Sequence, residues 1–135
     1  MMAHEPLNVV VVDDEASVGV LCELRFRKSI QKGDVHFHFF ENAQSCLRYL
    51  ESSERTPGSE VLLTDINMPE ISGYDLLKKV KQQFPGIDVY MMSAYDDDLS
   101  ISKSLNLGAN GYFTKPVNYK ELASRIEEDY GVHLT

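Results

Sequence analysis

The sequence predicts an α/β domain built on a doubly wound, open sheet of five parallel strands. Three observations carry this. Short apolar runs alternate with segments of helical periodicity, giving a βα unit five times over. The first run, "LNVVVV", is nearly continuous and valine-rich, as a strand buried on both faces is. A length of 135 residues matches one domain with a real core, and parallel strands joined by right-handed helical crossovers place helices on both faces of the sheet.

The elements follow in order. Leu7 to Val12 is the first strand, and after "DDE" a helix carries Val18, Leu21 and Cys22 on one face, its end blurred towards Arg25 and Lys28. "VHFHFF" (Val35 to Phe40) is the second strand. Asn42 then caps a helix with Ala43, Cys46, Leu47 and Leu50 at core spacing. "SSERTPGS" is a polar turn, "EVLLT" the third strand, and Leu76, Leu77, Val80 and Phe84 form the stripe of a third helix that stops at "PG". "IDVYMMS" is the fourth strand. A weak fourth helix around Leu99 to Leu107 ends at Gly108, "ANGYF" is the fifth strand, and Tyr119, Leu122, Ile126 and Tyr130 mark a closing helix.

Composition narrows the function. Thirteen Lys and Arg against 21 Asp and Glu leave a net charge of −8, poorly suited to direct contact with nucleic acid. Cys22 and Cys46 form no CxxC pair and fall on core faces, as small buried thiols in a reducing compartment do. No apolar run approaches the ~18 residues of a membrane span, and "MMAHEP" lacks the regions of a signal peptide, so a cytoplasmic location is expected.

In an open parallel sheet the working site lies beyond the carboxyl ends of the strands. Asp13 and Asp14 follow the first strand, Asp65 ends the third, Ser93 the fourth, and Lys115 follows the fifth. Alone, Asp65 could be a cap, a turn former, a metal ligand or a nucleophile, and a turn aspartate is the favoured reading. Together, three carboxylates, a lysine and a hydroxyl on one edge describe a site for a divalent cation and a phosphoryl group. Mg²⁺ takes oxygen ligands, and lysine and serine supply charge and a hydrogen bond to phosphoryl oxygens.

On "VVVVDDE", "LLTDINMPEISGYDLL", "MMSAYDD" and "LGANGYFTKP", the chain resembles the receiver domain of two-component response regulators from about residue 7 to 130. The resemblance implies a flavodoxin-like sheet with strand order 2-1-3-4-5, and a single receiver domain over residues 1–135 with no output domain. It implies Asp65 as phosphoacceptor, Asp14 as a direct Mg²⁺ ligand with Asp65 and the Asn67 backbone carbonyl, and Asp13 acting through water. Mn²⁺ is the expected substitute metal. Ser93 and Lys115 would hold phosphoryl oxygens, and Tyr112 would turn as Ser93 moves, switching the surface of the fourth helix, fifth strand and closing helix. Asn67 and Tyr95 would tune phosphoryl loss, and Lys115-Pro116 is expected to be cis. The implied partners are a sensor histidine kinase or histidine phosphotransfer protein and a downstream effector or output domain, with the chain a monomer or a phosphorylation-dependent dimer. The implied activity is that of a signalling phosphoacceptor, not an enzyme, with self-catalysed phosphorylation and dephosphorylation. Asp65, ionised near neutrality, needs no general base.

Some features have plainer readings. Ser72 stands where the family often has aspartate and reads as a helix N-cap, and Asp96 to Asp98 suit the positive end of a helix better than a metal. His36 and His38 share a strand face, a geometry that permits chelation but reads as a structural or solvated face. The Tyr95 ring is either a shield for the acyl phosphate or an exposed loop tyrosine. An aspartate-nucleophile phosphatase would want a second aspartate where Asn67 stands, and a flavin carrier would want a phosphate-cradling loop where "DDEAS" places negative charge. A receiver that only docks, without phosphorylation, is the remaining rival.

Overall fold

A computed structural model describes residues 6–52 and 59–131. Most of the expected turn at "SSERTPGS" lies outside the described residues. Strands β1 (Leu7–Val12), β2 (Val35–Phe40), β3 (Glu60–Asp65), β4 (Asp88–Ser93) and β5 (Gly111–Thr114) form one five-stranded sheet in the order β2-β1-β3-β4-β5. Every pair is parallel; Val9 lies level with Phe37 on one side and Val61 on the other. The predicted class, strand count and order are all present. The helices are α1 (Ala16–Arg25), α2 (Arg27–Gln31), α3 (Ala43–Glu51), α4 (Gly73–Gln83), α5 (Asp98–Asn106) and α6 (Tyr119–Tyr130).

The alternation of side chains along β1 divides the core in two. Val9 and Val11 face Val18, Cys22, Phe26, Leu122 and Ile126, while Val10 and Val12 face Ala43, Cys46, Leu50, Leu76 and Leu77. Both cysteines are free and buried, and burial pushes each thiol up to about 12. Asn42, Ser72 and Asp97 cap α3, α4 and α5, accepting from the amides of Ser45, Asp75 and Ser100 at 2.8, 3.2 and 2.9 Å. Gly108 closes α5 at φ +101°.

The first predicted helix is corrected twice. It breaks at Phe26, whose φ of −96° and ψ of 7° separate α1 from α2. Leu21, expected in the core, is 47% exposed. Its face is displaced because Gly19 packs against the Phe39 ring, where an added Cβ would lie 2.6 Å from ring carbons. The buried arc therefore centres between Val18, Gly19 and Cys22, which turns Leu21 outward. The weakness of the fourth predicted helix is physical: in α5 only Ser104 is buried, and Leu99 is 81% exposed. The surface expected to switch is thus α5, β5 and α6.

Candidate functional site

The carboxyl ends of β1, β3, β4 and β5 converge on one polar crevice. Asp13 is completely buried: its Oδ1 accepts from the Glu15 amide at 2.8 Å, and its Oδ2 from Lys115 Nζ at 2.6 Å. Lys115 is aimed from the segment after β5, where its amide donates to the Ser93 carbonyl at 2.7 Å and its bond to Pro116 is cis, as expected. Nζ stands 3.4 Å from Asp65 Oδ1 and 3.9 Å from Glu15 Oε1. Burial alone would lower the lysine's pKa, but the Asp13 hydrogen bond and the Asp65 and Asp13 charges together raise it.

Asp65 closes β3 and is buried. Burial, reinforced by the Asp13 carboxylate and opposed by Lys115, pushes its carboxyl up to about 6. A buried acid beside a second buried acid, sharing one cation between them, is the reason. Carboxylate oxygens of Asp13, Asp14 and Asp65 all lie within 4.8 Å of one another, with Asp14 open to solvent. Such a set of hard oxygen donors, two of them buried and one reaching water, fits Mg²⁺ or Mn²⁺. Among the described residues this is the one group of acidic, histidine or cysteine side chains arranged to hold a metal. His38 instead stacks on Tyr49, ring centroids 4.6 Å apart, while His36 is exposed; burial, then His36, lowers the pKa of His38.

Ser93 is fully buried at the end of β4, its Oγ accepting from the Tyr95 amide at 3.1 Å. The Tyr112 hydroxyl, rising from β5, donates to the carbonyl of the same Tyr95. The tyrosine's pKa is raised by burial, which outweighs the opposing effect of the Ser93 hydroxyl. Tyr95 is 58% exposed, and what ties it to the serine and the tyrosine is its backbone, the amide to one and the carbonyl to the other. Asn67 is exposed in the β3–α4 loop.

Two residues went unassigned in the sequence. Glu15 reaches towards Lys115, its only local signal being a third acid after the pair. Gly73 opens α4 directly against the phosphoacceptor candidate: a Cβ there would sit 2.1 Å from the Asp65 carbonyl oxygen, and its amide donates to Ile66 at 2.7 Å. The glycine before a helical stripe was the readable trace of this close approach.

The response regulator receiver domain model matches residues 9–127. The chain is 34% identical over 120 residues to the DNA-binding transcriptional regulator NtrC of Proteus hauseri, covering 89% of this chain and 24% of that protein. It is 30% identical over 119 residues to the two-component response regulator ORR1 of Oryza sativa subsp. japonica, covering 85% and 52%. The chain thus spans between a quarter and a half of these relatives' lengths. Among solved structures, a CheY-like response regulator receiver domain protein from Methanospirillum hungatei superposes with a TM-score of 0.78 at 26% identity, covering 92% and 93%. The receiver domain of the Francisella response regulator 1452 shares the fold at a TM-score of 0.78 and 23% identity, covering 92% and 96%. No helix among the described residues is long and apolar enough to cross a membrane. By these matches and by its sheet order and acidic crevice, the chain belongs to the response regulator receiver domain family of two-component signalling.

Proposed function

We propose that the chain is a phosphoacceptor whose Asp65 takes a phosphoryl group from a phosphohistidine on a sensor kinase or a histidine phosphotransfer protein. A carboxylate oxygen of Asp65 attacks phosphorus as the phosphorus–nitrogen bond breaks; the imidazole leaves with the electron pair, and an aspartyl phosphate results. The observation that carries this reading is Lys115 Nζ lying between Asp13 at 2.6 Å and Asp65 at 3.4 Å, a cation already placed where phosphoryl charge will arrive.

Asp14, Asp65 and the Asn67 backbone carbonyl would hold Mg²⁺ or Mn²⁺, with Asp13 acting through water. When bound, the metal would neutralise charge on the phosphoryl oxygens. At neutral pH a carboxyl near 6 is mostly ionised, so Asp65 attacks without a general base. Asp13 orients Lys115, and Lys115 holds a phosphoryl oxygen once the group is in place. The Ser93 hydroxyl accepts from the Tyr95 amide, and its proton serves a second phosphoryl oxygen.

Drawing Ser93 towards the phosphoryl group disturbs the Tyr95 amide and with it the adjoining carbonyl that Tyr112 holds, which biases α5, β5 and α6 between two arrangements. A cytoplasmic effector or attached output domain would read that surface, with the domain a monomer or a phosphorylation-dependent dimer. Direct binding to nucleic acid is not part of this reading. Asn67 and Tyr95 flank the route of water to the acyl phosphate and set its lifetime in self-catalysed dephosphorylation.

Incubation with Mg²⁺ and a small acyl phosphate, followed by intact mass, tests the proposal. One added phosphoryl group, absent from Asp65→Asn and from a metal-chelated sample, supports it. An unmodified wild-type protein with every donor would leave a receiver that only docks.

A further inference from the structure

The β3–α4 loop carries Asn67, yet it contains a backbone feature that its sequence does not favour. Glu70 has φ +67°, and among the described non-glycine residues it alone is positive. A side chain in that region crowds the following carbonyl and costs about 1 kcal/mol or more, so something must hold the conformation. Among the described residues the hydrogen bond that reaches the Glu70 side chain comes from outside the loop: Gln44 Nε2, on α3, donates to Glu70 Oε2 at 2.6 Å across 26 residues of chain. Both residues line the groove that also contains Asp14.

The other loop restraints lie on either side. Ile66 is bound through its amide to the Met92 carbonyl at 3.1 Å and through its carbonyl to Gly73, and Ile71 donates to Pro69 at 2.9 Å. Ile66 and Met68 are buried, whereas Asn67, Pro69 and Glu70 are exposed. The segment is therefore pinned by its apolar residues at 66 and 68 and by a polar clasp at 70, with the residue offered as a metal ligand between the two.

We propose that the Gln44–Glu70 clasp is a positioning device for the metal site: it keeps Glu70 left-handed and so fixes the loop that carries Asn67 beside the groove containing Asp14. The inference rests on the reading of Asp14, Asp65 and Asn67 as metal ligands. The clasp acts through hydrogen-bond geometry, not through the charge of Glu70. Without its acceptor bond, residue 70 relaxes towards negative φ, and the loop between Ile66 and Ile71 moves with it.

Mg²⁺ titration by calorimetry on wild type, Gln44→Ala, Glu70→Gln and Glu70→Ala separates the possibilities, with thermal unfolding in chelator confirming that each is folded. The net worth of one ordinary, solvent-exposed hydrogen bond sets the scale, so Gln44→Ala and Glu70→Ala should weaken Mg²⁺ binding by about three- to tenfold. Glu70→Gln, which keeps an acceptor for Gln44, should bind within about twofold of wild type. Equal losses in Glu70→Gln and Glu70→Ala with none in Gln44→Ala would overturn the proposal in favour of simple charge. Wild-type affinity in all three would overturn it outright. Asp14→Asn is the control for the underlying reading: if it alone abolishes binding the metal site stands and only the clasp fails, whereas wild-type protein that binds no Mg²⁺ brings down both.

Discussion

Replacing Asp65 by asparagine should make the metal-free protein more stable at pH 7. The carboxyl is buried, and its titration is pushed from 3.8 up to about 6, first by burial and then by Asp13. A difference of about 2 units at 1.36 kcal/mol each gives a ceiling near 3 kcal/mol for holding the charge in the folded state. The attraction to Lys115 is already contained in that net shift, and relaxation of the crevice reduces it further, so about 1–3 kcal/mol is expected. The sign follows from proton linkage. Between about pH 4 and 6 the folded state binds the proton that the unfolded state has released, so stability falls as pH rises through that window and stays low above it. Urea unfolding followed by circular dichroism, with chelator present, at pH 4 and pH 7 measures the effect. The gain in Asp65→Asn over wild type should be near zero at pH 4 and full at pH 7, since subtracting the two proteins removes the other carboxylates. Added Mg²⁺ should then reverse the order, stabilising wild type by RT ln(1 + [Mg²⁺]/Kd) and the variant less. An Asp65→Asn protein no more stable than wild type at pH 7 would refute the electrostatic reasoning.

Other perturbations probe the same crevice. Lys115→Met strands the wholly buried Asp13 charge without its 2.6 Å partner and should destabilise the fold by about 2–4 kcal/mol in chelator, read as a lower urea midpoint. Gly73→Ala places a methyl 2.1 Å from the Asp65 carbonyl oxygen; about 1–3 kcal/mol of overpacking is expected, together with slower phosphorylation by a small donor, and an unaltered midpoint would contradict the close approach. In Tyr95→Ala the acyl phosphate should be lost faster, since the ring would no longer shield it while the backbone amide and carbonyl bonded to Ser93 and Tyr112 remain; an unchanged lifetime makes residue 95 an ordinary exposed tyrosine.

Much of this architecture was legible because the signals are local. Valine-rich runs, N-caps at Asn42 and Ser72, the acids that open α5, and stripes such as Leu76, Leu77 and Val80 each depend on neighbours within a turn or two. The first helix was misjudged where a distant contact decided it: the Phe39 ring against Gly19 rotates the buried arc, and the break at Phe26 carries no glycine or proline to announce it. Glu70 was equally silent, because a glutamate at positive φ is held there by a partner on another helix.

By itself the sequence determined which residues stand at the strand ends, and so that Asp13, Asp14, Asp65, Ser93 and Lys115 share one edge. Only the tertiary structure decided how they meet. The Lys115–Asp13 bond spans 102 residues, the Asp65 carboxyl is raised by burial and by a neighbour that follows another strand, and Ser93 and Tyr112 are joined through the backbone of Tyr95 in a third segment. The physical reason is range: hydrophobic periodicity and capping are written within a few residues, whereas distance, burial and charge coupling arise only when separate segments pack.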